Sequence, residues 1–208
     1  MNTRVDSAFT VQWLSRQLKK PTLEHLKAAK SLFSYYNRTK MLSICYSRNK
    51  NPYPIGFADS DFAGDKKDSK STYGYIIQLA GGPISWKSKK SSTIALSTLE
   101  AEYKAITEGI REIQWLTGLF SEISRPLNSA TILYSDNKGA ISTAKDPTLH
   151  SRTKHTLLHY NYTRELVKKG VVKIDYLKGD QIVADGLTKP LPIEKFNKFI
   201  KFLGLEIY

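Results

Sequence analysis

Apolar residues change their spacing several times along this chain, and each change marks a predicted element. From residue 7 to 18, Phe9, Val11, Trp13, Leu14 and Leu18 recur at mostly helical spacing. Pro21 opens a second helix reaching Tyr36, with Leu23, Leu26, Ala29, Leu32, Phe33 and Tyr36 as its apolar stripe and lysines on the other face. Leu42 to Ser47 reads as a short strand that can join either these helices or the sheet that follows. The interval Arg48 to Pro54, rich in Asn and Pro, is the best boundary in the chain. A period of two begins with Ile55 and Phe57. Thr72 to Leu79 is a strand by its aromatic and β-branched content, and Ala80-Gly81-Gly82 turns it back into Pro83 to Lys87 as a hairpin. Helical spacing returns from Leu96 to Phe120, where Ala101, Ala105, Ile106, Ile110, Ile113 and Leu116 share a face and Ser97 or Thr98 caps the start. A strand at Thr131 to Tyr134 follows, then a short helix at Ala140 to Ala144 and a longer one from Thr153 to Lys169, ended by Gly170. Val171 to Leu177 is again a strand. Asp180 to Leu187 is a short helical segment, and Ile193 to Leu203 a final amphipathic helix with Phe196, Phe199, Ile200 and Leu203 inward. This order predicts an α/β fold: a mixed five-stranded sheet flanked by helices, with an N-terminal helical segment in front of it.

Asp59 breaks the first strand's alternation, which calls for another apolar residue at that position. An ionised carboxylate leaves water at a high cost unless something cationic meets it. A metal ion, an arginine, or solvent at a sheet edge would each serve. Glu102 on the inward side of the long helix, Asp136 at the end of the apolar strand, and Asp185 among Ile182, Val183, Ala184 and Leu187 complete a set of four acids, three of which interrupt apolar patterns. Convergent carboxylates are the hard oxygen ligands that divalent cations require. The competing reading makes Glu102 and Asp185 surface residues and Asp136-Asn137 a strand-terminating cap.

Charge sharpens the choice of partner. The 208 residues carry 32 Lys and Arg against 19 Asp and Glu, a formal +13, which favours a polyanion. The single cysteine, Cys45, excludes an internal disulfide and a cysteine-rich zinc module. No apolar run is long enough to span a bilayer, and the N-terminus lacks the apolar core of a secretion signal. A cytoplasmic or nuclear setting is expected, with no membrane partner.

Seven motifs, GFADSDFAGD at Gly56 to Asp65, KSTYGY at Lys70 to Tyr75, ISWKSKK at Ile84 to Lys90, STLEAEYKA at Ser97 to Ala105, SDNKGAI at Ser135 to Ile141, HSRTKH at His150 to His155 and ADGLTKPL at Ala184 to Leu191, occur in the order found in one family. The chain resembles the ribonuclease H domain of copia-type retrotransposon polyproteins. The resemblance implies a ribonuclease H-like domain over residues 54–191. It makes residues 1–50 a helical remnant of the reverse transcriptase's trailing segment and 192–208 a C-terminal helical extension. It also implies two-metal cleavage of the RNA strand of an RNA–DNA hybrid, with two Mg2+ ions for which Mn2+ can substitute. Asp59 would bridge both ions, Glu102 and Asp136 would complete the water-activating ion, and Asp185 would hold the second near the leaving O3′ group. The polymerase's own catalytic aspartates are absent, so DNA synthesis is not expected, and a polymerase region acting in trans is a candidate partner. Because Met1 falls within the trailing segment, a truncated product is expected. The alternative is a catalytically idle transposon remnant that at most binds nucleic acid.

The same resemblance frames the basic and polar residues. Lys87, Lys89 and Lys90, with Lys66, Lys67 and Lys70, are read as solvated faces or as a track for the DNA strand. Arg152 and Lys154 are read as phosphate contacts at a helix start. His155 either moves a proton or holds the backbone. Ser135 and Asn137 would orient Asp136, touch the 2′-hydroxyls of RNA, or cap a helix. Trp86 stacks on a sugar or base, or belongs to the core. Asp61 and Asp65 stay outside the site as solvent-facing or lysine-paired acids.

Overall fold

The structure, a computed structural model, describes residues 3–146 and 154–207. Two helices come first, α1 (Ala8–Ser15) and α2 (Leu23–Arg38). The Thr22 hydroxyl accepts from the His25 N–H while the His25 ring accepts from the Thr22 N–H, a reciprocal cap that starts α2 at Leu23, two residues after the expected Pro21. After β1 (Leu42–Ile44) come β2 (Ile55–Asp61), β3 (Thr72–Leu79), β4 (Gly82–Lys90), the 25-residue α3 (Thr98–Glu122), β5 (Thr131–Ser135), α4 (Lys138–Lys145), α5 (Lys154–Lys168) and β6 (Val172–Tyr176). The chain ends with α6 (Ile193–Phe202) and β7 (Leu205–Ile207).

The main sheet has the order β4-β3-β2-β5-β6. Strands β2, β3 and β4 form an antiparallel meander, and β5 and β6 add in parallel on the other side of β2. The β3–β4 hairpin turns through Ala80 and Gly81, both at positive φ (52° and 91°), the backbone pair that matches the twist of the flanking strands. Crossovers through α3, and through α4 and α5, carry the chain between the parallel strands. This is the ribonuclease H-like mixed sheet flanked by helices that the resemblance implies.

Alternation along the strands builds a core on each face of the sheet. On one face Ala58, Tyr75, Ile77 and Leu133 meet Ile106, Ile110 and Ile113 of α3. On the other, Phe57 and Ile76 meet Val183, Leu187, Phe199 and Leu203. Val5 and Ala8 join this second core, so the N-terminal segment contributes to the same face as the late part of the chain.

Three local expectations differ from what the structure shows. The predicted stripe of α1 is not buried: Phe9, Val11, Trp13 and Leu14 are half-buried and Leu18 exposed, and the buried residues are Val5 to Ser7 just before it and Ala8 at its first position. A polar network fixes that turn, with Asp6 accepting from Arg4 at 2.8 Å and from the Tyr35 hydroxyl at 2.6 Å. Leu23, Leu26 and Phe33 of the α2 stripe are exposed. β7 was not legible from its three residues; it pairs antiparallel with β1, Leu42 opposite Ile207 and Ile44 opposite Leu205. The segment Asp180 to Leu187 forms two 3-10 turns, Gly179–Gln181 and Val183–Leu187, in place of one short helix. Among the described residues no helix is long and apolar enough to cross a membrane.

Candidate metal centre and active site

Register brings the acids together. Parallel pairing of β2 with β5 sets Phe57 opposite Tyr134, so two residues further on Asp59 lies level with Asp136, just past the end of β5. Glu102 reaches the same point from the first turns of α3, whose start is fixed by the Ser97 hydroxyl accepting from the Glu100 N–H at 3.1 Å. One carboxylate oxygen from each of Asp59, Glu102 and Asp136 lies within 4.8 Å of the other two. Asp59 and Glu102 are buried, and Asp136 stands at the cleft's mouth.

Gathering these groups away from water perturbs them. Burial raises the Asp59 carboxyl to about 6, the Thr188 hydrogen bond opposes the rise, and neighbouring Asp185 and Asp136 add to it. Glu102 is pushed up to about 9, first by burial and then by Asp59 and Asp136, against an opposing hydrogen bond from the Ser60 backbone. Its Oε2 is buried without any hydrogen-bond partner. A buried carboxylate oxygen left unpaired beside two other carboxylates is a poor protein contact and a good cation ligand. The residues therefore fit a divalent metal ion.

Asp185 enters from the second 3-10 turn and lines the same cavity of about 280 Å³ as Asp59 and Asp136. It stands beside the three-carboxylate cluster rather than within it, and its Oδ1 is paired with Lys189. Lys189 also lowers the carboxyl groups of Asp59 and Glu102 through its charge. Thr188 donates to Asp59 Oδ2 at 2.7 Å and is itself buried. Neither Thr188 nor Lys189 stood out in the sequence, although they follow Asp185 by only three and four residues.

The other singled-out residues are dispersed. Lys87 is paired with Glu108 at 3.2 Å, and Lys90 with Asp65 at 2.5 Å and Asp68 at 2.7 Å, so both are engaged within the protein. Asp65 is thus lysine-paired, and Asp61 lies outside the three-carboxylate cluster. Lys89 is exposed. Ser135 is fully buried, its hydroxyl accepting from the Asn137 N–H, and Asn137 caps α4 by accepting from the Ala140 N–H at 2.9 Å. Trp86 packs against the second core. Arg152 lies outside the described residues, as do the side chains of Lys154 and His155 at the start of α5.

No family model matches the chain. Over 203 residues it is 36% identical to the retrovirus-related Pol polyprotein from transposon RE1 of Arabidopsis thaliana, covering 98% of this chain and 14% of that protein. Over 204 residues it is 36% identical to the polyprotein from transposon TNT 1-94 of Nicotiana tabacum, covering 98% and 15%. The chain therefore spans about 14% of the length of the curated relatives it matches. Among solved structures, LC11-RNase H1 in complex with RNA/DNA hybrid is similar at a TM-score of 0.48 and 11% identity, covering 65% of this chain and 93% of that one.

Proposed function

We propose that this chain, which belongs to the copia-type retrotransposon Pol polyproteins as a segment of them, is a metal-dependent ribonuclease H that hydrolyses the RNA strand of RNA–DNA hybrids. The observation that carries this reading is the meeting of Asp59, Glu102 and Asp136 within 4.8 Å from three separate elements. Asp59, Glu102, Asp136 and Asp185 would hold the metal. Two bound Mg2+ or Mn2+ ions would supply Lewis acidity to activate water and to stabilise the leaving oxygen.

The residues have separable duties. Asp59, at the buried centre, is kept in one orientation by Thr188. Glu102 keeps its proton at neutral pH while its neighbours are uncompensated, since burial and those neighbours push its carboxyl up to about 9, and it would give up that proton to hold a cation. Asp136, less buried than Asp59 and Glu102, would complete the cluster from the solvent side. Asp185 lines the same cavity, where Lys189 balances it. The net +13 favours association with a polyanionic duplex. Exposed Leu23, Leu26 and Phe33 on α2 form the face that a polymerase region would cover.

Strand-specific labelling tests the reading. With Mg2+, a hybrid labelled on its RNA should be cut and the same hybrid labelled on its DNA should stay whole. Equal cutting of the DNA strand, or of a DNA duplex, would contradict it.

A further inference from the structure

α6 presents two faces with different tasks. Phe199 and Leu203 are buried in the second core, with Phe196 and Ile200 packed beside them. Lys195, Lys198 and Phe202 lie at i, i+3 and i+7 on another stripe and line the cavity that also holds Asp59, Asp136 and Asp185. Phe202 is 47% exposed there. Among the described residues no ion pair reaches Lys195 or Lys198; of the cavity's lysines it is Lys189 that pairs with Asp185.

The helix is held firmly in this place. Gly186, next to Asp185, lies so close to the Phe199 ring that a Cβ there would come within 2.7 Å of it. At the other end Gln78 Nε2 donates to the Phe202 carbonyl at 2.6 Å. Position relative to the carboxylates is therefore set by packing on one side and a hydrogen bond on the other. Two unpaired cations and an uncovered aromatic ring, three to seven residues apart on one stripe, suit a ligand with repeated anionic groups and flat faces.

We propose that α6 is a substrate-holding wall of the cleft: Lys195 and Lys198 take successive phosphates of a hybrid strand passing the carboxylates, and Phe202 packs on a sugar or base of that strand. The identity of the duplex rests on the ribonuclease H reading, whereas the phosphate and stacking contacts do not need turnover. These three are positioning residues, acting on the strand and not on the reacting atoms.

Binding of a fluorescent RNA–DNA hybrid to the full chain in EDTA, measured by anisotropy between about 50 and 200 mM salt, tests this. Replacing both lysines (Lys195→Gln with Lys198→Gln) should reduce the steepness of log affinity against log salt by about 1.8, or about 0.9 per lost phosphate contact. Arginine at both positions should restore the slope. Phe202→Ala should weaken binding about 5- to 100-fold without changing the slope. Lys27→Gln with Lys30→Gln, on α2, serves as the surface control. An unchanged slope in the glutamine variant, a loss that arginine does not restore, or no wild-type binding at the lowest salt would overturn the wall. A reduced slope in the glutamine variant beside a wild type that never cuts RNA would leave the wall standing and remove the nuclease reading; wild-type cutting with an unchanged slope in the variant would do the reverse.

Discussion

Thr188 donates a 2.7 Å hydrogen bond to Asp59 Oδ2 across 129 residues of sequence, with both groups buried. The bond favours the ionised carboxylate and so holds the Asp59 carboxyl down against burial, which has raised it to about 6. Thr188→Val keeps the shape and removes the bond. A hydrogen bond to a charged group contributes about 1.5–3 kcal/mol, so the Asp59 carboxyl should rise by about one unit or more. The acid limb of the pH–rate profile should move to higher pH in the valine variant. Thr188→Ser should restore the wild-type limb. An unshifted limb in the valine variant would show that the bond does not tune the site.

Glu102 gives a stability signature that needs no substrate. Its folded carboxyl titrates at about 9 against an ordinary 4.5, so the folded state retains a proton that the unfolded state has lost. Below the ordinary value both states are protonated and no difference arises. As pH rises from there through the folded value, stability falls by at most about 1.4 kcal/mol per unit. Melting temperature in EDTA should therefore decline between about pH 5 and about pH 9 more steeply in the wild type than in Glu102→Gln. Near neutral pH the variant should melt higher without metal, and Mg2+ should raise the wild type more than the variant. Parallel pH profiles for the two proteins would mean that Glu102 is not buried among like charges.

Gly186 sets how closely α6 approaches the turn that carries Asp185. A Cβ at this position would meet the Phe199 ring at 2.7–2.8 Å, and that ring is buried in the core. Gly186→Ala should cost about 1–3 kcal/mol in stability and lower cleavage as Asp185 and α6 separate. Combining it with Phe199→Leu, which vacates ring volume, should recover part of both losses. Equal stability of Gly186→Ala and wild type in denaturant unfolding would contradict the close packing.

Much of this architecture was legible because local signals and tertiary contacts agree. The cap at Ser97, the Ala80-Gly81 turn and the inward face of α3 are each fixed by residues a few positions apart. Asp59 was legible for the opposite reason, as a charge where the strand pattern asks for an apolar residue. What escaped was set by distant partners. Three residues of β7 become a strand only because β1 supplies their hydrogen bonds, and the apparent stripe of α1 stays half-buried while the Asp6 network fixes the buried turn before it. Thr188 looks like any turn threonine until Asp59 arrives from the far end of the fold. Lys87 and Lys90 read as a basic cluster, but Glu108, Asp65 and Asp68 come from elsewhere to pair them. The stripe of Lys195, Lys198 and Phe202 gains meaning only from the cavity it faces.

The central claim is that Asp59, Glu102 and Asp136 meet to hold metal for RNA cleavage, and single-turnover cutting of a labelled hybrid measures it most directly. Wild type should cut the RNA strand with Mg2+ and stop in EDTA. Asp136→Asn should lower the rate at least about 100-fold, equivalent to about 2.7 kcal/mol of barrier, while its melting temperature without metal stays equal or rises. Metal-independent cutting by the wild type, or an Asp136→Asn protein that cuts at the wild-type rate, would contradict the account.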